Sequence, residues 1–154
     1  MSVIAAVVAV LFRQKVLKYV NMSLFNKFFG DSESKDTSSS NSMWNELTEL
    51  KQLDAIAEES AGTPVLIFKH STRCPVSRMA LRNFEQEYDI EEGKLKLYYL
   101  DLLEHRDISN EIATRFGVCH QSPQVILIND GKAVYDTSHH EINAKTIKEK
   151  IKQK

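Results

Sequence analysis

The stretch Val65-Leu-Ile-Phe-Lys-His-Ser-Thr-Arg-Cys-Pro-Val-Ser77 decides the fold. It opens with four apolar residues directly after Pro64, a continuous run that predicts a strand buried on both faces. Polar residues take over from Lys69 to Arg73, and Cys74-Pro75 follows. Proline suits the first position of a helix, where its missing N–H leaves no bond unmade. Cys74 therefore stands at the N-cap of a helix with Val76, Met79, Ala80, Phe84 and Tyr88 on one side.

Downstream, Leu95 to Leu102 reads as a second strand. Asp107 is placed to cap a helix that buries Ile108, Ile112 and Phe116, with Gly117 as its stop. Cys119-His-Gln-Ser-Pro123 leads at once into a strand from Gln124 to Ile128. Asn129-Asp-Gly-Lys132 is a hairpin turn into Ala133 to Tyr135. Ser138-His-His-Glu141 has capping-box spacing before a last helix with Ile147 and Ile151 four apart. Upstream, Trp44, Leu47, Leu50, Leu53 and Ile56 recur at helical spacing after the N-cap Ser42, and Gly62-Thr-Pro64 ends that helix. The order α-β-α-β-α-β-β-α implies parallel pairing across the helices and one antiparallel edge. The expected fold is α/β, with a central four-stranded mixed sheet flanked by helices.

The 154 residues are 42% apolar, enough for one core, and the net charge is −1. No basic surplus points to nucleic acid or an anionic membrane. Two cysteines far apart suit a reducing cytoplasm better than a disulfide framework. The apolar run at 3–12 is too short to span a bilayer, which takes about 20 residues. Its basic neighbours Arg13, Lys15 and Lys18 follow it rather than precede it, unlike a secretory signal. A start at Met22 is favoured over Met1, and residues 1–29 form an N-terminal extension. Within it, Leu24 to Phe29 reads as a docking motif or a fragment of helix. Residues 30–41 hold no apolar side chain and read as a disordered linker. The folded domain is expected over 42–154.

At a helix N-terminus, unpaired N–H groups and the helix dipole favour an anion, here a thiolate at Cys74. Arg73 and Arg78 add positive charge, and Ser77, three residues on, can point back at the sulfur. A second cysteine at position 77 would close a disulfide; serine cannot. A mixed disulfide on Cys74 then needs an outside thiol, or Cys119, to resolve it. An inert buried cysteine is the plainer alternative, but it requires neither the strand end, nor Pro75, nor the arginines. Pro123 is either a simple strand starter or a cis-proline that presents the Ser122 backbone to a disulfide. Cys119 is either a resolving thiol or, the favoured reading, a loop thiol. His70 either tunes Cys74 or completes the strand end. Cys74, Cys119, His120 and His70 lack metal-ligand spacing, so no metal is expected.

The stretch Phe68 to Ser77, with Gly117-Val and His120-Gln-Ser-Pro-Gln124, resembles the YtxJ-type monothiol bacilliredoxins from about Trp44 to the C-terminus. The resemblance implies a thioredoxin-like fold in the cytoplasm, with Cys74 the active cysteine and Pro123 the cis-proline. It implies a monothiol thiol–disulfide oxidoreductase that removes bacillithiol from bacillithiolated proteins, with bacillithiol as co-substrate. Ser77 would assist Cys74, and Arg73, Pro75, Ser122 and Pro123 would meet the substrate. Lys69, Arg73 or Arg78 would hold the carboxylates of bacillithiol. The rival readings are a glutaredoxin-like exchanger for another small thiol, a non-catalytic thioredoxin-like adaptor, and an iron–sulfur carrier. Pro75 argues against the last, whose Cys-Gly-Phe-Ser type has glycine there.

Overall fold

The computed structural model describes residues 43–152. The N-terminal extension, the linker and the Ser42 cap lie outside the described residues. Among the described residues, five strands and four α-helices follow one another as β1 (Asn45–Glu46), α1 (Gln52–Glu59), β2 (Val65–His70), α2 (Pro75–Glu87), β3 (Lys96–Asp101), α3 (Arg106–Phe116), β4 (Gln124–Asn129), β5 (Lys132–Ser138) and α4 (Ala144–Lys152). The sheet order is β1-β3-β2-β4-β5. β2 pairs in parallel with β3 and antiparallel with β4.

Central position explains the unbroken apolar run of β2, because each face meets its own core. Val65 and Ile67 pack with Leu53 and Ile56 of α1 and with Ile108, Ile112 and Phe116 of α3. Leu66 and Phe68 pack with Ala80 and Phe84 of α2 and with Ala144 and Ile147 of α4. The β4–β5 turn has positive φ at Asp130 (49°) and Gly131 (72°), as a tight two-residue hairpin requires.

The structure departs from the sequence expectations at five points. The first helix starts at Gln52 rather than at Ser42, and β1 adds a fifth strand beside β3. Trp44 and Leu47, three residues apart, join opposite cores, as residues of an extended segment do and residues on one helix face do not. Gln52 sets the boundary: its Oε1 accepts from the N–H of Thr48 and of Glu49, both at 2.8 Å, and its Nε2 donates to the Glu46 carbonyl. On α2 the buried positions are Ser77, Ala80 and Phe84, while Val76 and Met79 are 54% and 66% exposed. Asp107 lies in the first turn of α3, after the N-cap His105, rather than capping it. The last helix is capped by Asn143, whose Oδ1 accepts from Thr146 N–H at 3.1 Å; Ser138 instead precedes a short 3-10 turn over His139–Glu141.

Candidate active site

The antiparallel pairing of β2 with β4 sets Lys69 opposite Gln124. The loop leaving β2 (Ser71 to Cys74) and the loop entering β4 (Cys119 to Pro123) therefore lie at the same end of the sheet. Cys74 is the N-cap of α2 with extended backbone (φ −95°, ψ 120°), and Pro75 opens the helix. The Cys74 N–H donates to the Ser71 carbonyl at 3.0 Å, and its carbonyl accepts from Arg78 N–H at 3.1 Å. Its thiol is half-buried and makes no capping hydrogen bond. Cys119 is exposed, and both thiols are free.

Ser77 is fully buried and turned to other partners than the sulfur. Its Oγ accepts from Ser71 N–H at 3.0 Å and lies 2.9 Å from His70 Nδ1. Burial is the main force pushing His70 down from its ordinary value, and the Arg78 charge adds to it against Asp101 and Glu85. In the neutral tautomer protonated at Nε2, His70 accepts the Ser77 hydroxyl proton at Nδ1; in the other tautomer Nδ1–H donates to the hydroxyl oxygen, and either way the two side chains are joined. The serine thus clamps the loop after β2 onto the first turn of α2. The His70 ring in turn lies 5.4 Å from that of Tyr99 and 6.3 Å from that of Phe68. Arg73 and Arg78 are exposed, and Arg78 Nη1 donates to the Thr72 carbonyl at 3.1 Å. The Ser122–Pro123 peptide is cis. Pro123 is buried, and the Ser122 hydroxyl is a buried atom without a hydrogen-bond partner.

Lys69 departs from its expected place. It is 0% exposed, on the face that also carries Val65 and Ile67, and so does not reach a ligand in solvent. Its Nζ lies 2.9 Å from His120 Nδ1 and donates to Gln124 Oε1 at 3.3 Å. His120 also meets Ser109 Oγ at 3.3 Å. Burial, with the charges of Lys69 and Arg106, lowers the His120 pKa. Burial lowers Lys69 to about 8. This network of Lys69, Ser109, His120 and Gln124 went unread in the sequence. Two signals were present: Lys69 continues the period-2 register of Val65 and Ile67, and Gln124 opens a buried strand. A cavity of about 600 Å³ between the approaches to β2 and β3, lined by Pro64, Ile90 and Lys94, lies at the other end of β2. Among the described residues no helix is long and apolar enough to cross a membrane.

The monothiol bacilliredoxin BrxC family matches residues 45–147, more than half of the chain. A protein assigned as an oxidoreductase with a thioredoxin fold is 28% identical, with a TM-score of 0.62 over 73% of this chain and 97% of that one. Mitochondrial thioredoxin 3 from Saccharomyces cerevisiae is 20% identical, with a TM-score of 0.54 over 75% of this chain and 100% of its own. A thioredoxin from Malassezia sympodialis is 18% identical, with a TM-score of 0.54 over 80% of this chain and 97% of its own. These last two carry the fold alone. The family match begins at β1 and ends within α4, so it takes in both loops at the thiol end of the sheet. On that match the chain belongs to the monothiol bacilliredoxin family and is a thiol–disulfide oxidoreductase with a thioredoxin fold.

Proposed function

We propose that this protein removes bacillithiol from protein mixed disulfides, with Cys74 as the nucleophile. The Cys74 thiolate attacks the bacillithiol sulfur, the protein–bacillithiol S–S bond breaks, and the protein sulfur leaves as a thiolate that takes up a proton. Cys74 is left joined to bacillithiol. A second bacillithiol thiolate attacks the bound bacillithiol sulfur, releasing bacillithiol disulfide and the Cys74 thiolate. Electrons balance: the client is reduced and two bacillithiol molecules end as a disulfide.

The observation that carries this reading is the position of Ser77. Three residues after a helix-capping cysteine stands a buried hydroxyl held by Ser71 and His70. It offers no thiol to close on Cys74, so release falls to an outside thiol. Arg73 and Arg78, exposed beside Cys74, supply charge for the carboxylates of bacillithiol. Pro75, Ser122 and Pro123 form the backbone edge along which the disulfide lies. Cytoplasmic thiol repair is the corresponding setting.

The test exposes the reduced protein separately to bacillithiol disulfide and glutathione disulfide and reads intact mass with peptide mapping. A bacillithiol adduct on Cys74, formed faster than the glutathione one, is the expected result. Faster glutathione capture makes it an exchanger for another small thiol. A loss of two hydrogens linking Cys74 to Cys119 assigns Cys119 as a resolving thiol. No adduct on Cys74 from either disulfide leaves the adaptor reading.

A further inference from the structure

Among the described residues, Lys69 is the only lysine, arginine or carboxylate side chain that is buried. Burying a cation is unfavourable unless an anion or several hydrogen bonds compensate it. None of its partners is a carboxylate: the amine meets the His120 ring and the Gln124 side-chain carbonyl. Those partners hold the loop that enters β4. Gln124 Oε1 also accepts from Gln121 N–H at 3.1 Å, and Gln124 Nε2 donates to the Cys119 carbonyl at 2.9 Å and to Asp136 Oδ2 at 3.2 Å. Three consecutive loop residues are thus fixed at one point each: Cys119 at its carbonyl, His120 at its ring, Gln121 at its N–H. Each of the three is attached through Lys69 or through Gln124, its register partner, and the His120 ring has Ser109 Oγ as a second, longer contact at 3.3 Å. The next two residues are Ser122 and cis Pro123.

From this we infer that Lys69 is a positioning residue: from inside the sheet it fixes the Cys119–Gln121 loop, and so sets the Ser122–Pro123 edge against which a mixed disulfide is captured. The inference rests on the exchange reaction proposed above. Cys74 and its clamp through Ser77 and His70 belong to the α2 face of the sheet, whereas Lys69 belongs to the α1 and α3 face. Lys69 therefore acts on capture of the disulfide and leaves the nucleophile itself as it is. The buried ammonium is unfavourable to folding, so its removal separates a positioning role from a supporting one: a side chain that only supports the fold cannot be removed with a gain in stability.

The experiment compares wild type with Lys69→Met. Three quantities are read: alkylation of Cys74 by iodoacetamide, steady-state reduction of a bacillithiolated protein, and the thermal midpoint. The expected result is alkylation within about twofold of wild type, kcat/KM lower by about tenfold through KM, and a midpoint unchanged or raised. The imidazole ¹⁵N signal of His120 should shift as its Nδ1 partner is lost. His120→Ala, which removes an exposed ring, should reproduce the KM effect, and it decides the matter where Lys69→Met does not fold. Exchange at the wild-type rate in both variants overturns the inference, and so does a loss of alkylation equal to the loss of exchange. A wild-type protein that reduces no mixed disulfide removes the proposed function instead, which is a separate outcome.

Discussion

Burial holds the Lys69 amine at about 8, against 10.5 for an ordinary lysine. Between those values the unfolded chain binds a proton that the folded chain has released. Stability from this group therefore rises with pH across that window, and below about 8 its full unfavourable contribution is present. Wild type should gain on the order of 2 kcal/mol relative to Lys69→Met between pH 7 and pH 9.5, measured by urea denaturation at each pH. Parallel pH dependences in the two proteins would show that the amine is not desolvated. Ser77 is the other residue whose environment sets a number. Ser77→Ala leaves the Ser71 N–H and the His70 Nδ1 without their partner inside the protein, and about 1–3 kcal/mol of stability should be lost. The identity of Ser77 was legible in the sequence as the absence of a second thiol. Its bond to His70 was not, because the pairing depends on the chain turning back at Ser71.

At the scale of elements, legibility followed burial. β2, β3 and β4 each contain four consecutive apolar residues bounded by polar ones or by Pro64, short enough to read as strands, and the Asn129–Lys132 turn and the Gly117 stop were written in residues that tolerate positive φ. Gly117 sits at φ 66° with nothing within 4 Å of an added Cβ. Gly117→Ala should thus cost only the conformational penalty, about 1 kcal/mol by chemical denaturation, and should leave exchange unchanged. β1 was missed because two residues carry no periodicity, and the spacing of Leu50, Leu53 and Ile56 extended a true helix backwards past the turn that Gln52 closes. On α2 the helical repeat admitted two adjacent faces. The sheet selected the one with Ser77, Ala80 and Phe84, leaving Val76 and Met79 in solvent. A Val76→Ser, Met79→Ser protein should accordingly stay within about 0.5 kcal/mol of wild type for each change. A loss of several kcal/mol would place those side chains in the core after all.

For the whole molecule, the sheet order determines where function can sit. β2 is flanked by β3 and β4, with a core on each face. Its amides, with those of β4, should exchange with deuterium only through global opening, while β1 and the outer edge of β5 exchange sooner. Pulsed exchange read by mass spectrometry tests that ranking. The strand order also explains why the thiol end could be assembled in part from sequence. Cys74 and Pro123 each adjoin a strand that announces itself, and a β2–β4 pairing brings their loops together. Lys69 could not be placed the same way, since a charged residue directly after an apolar run reads as the end of a strand until β4 supplies Gln124 and the loop before it supplies His120.

The serine at position 77 has a consequence for how such a protein behaves in a population of molecules. On the proposed cycle, a chain that has taken up a small thiol cannot shed it unaided, and it waits in the capped form until a free thiol arrives. The fraction of molecules capped at any moment is then a readout of supply, rising when the reduced pool is depleted and falling as it recovers. A chain with cysteine at that position would discharge itself and keep no such record.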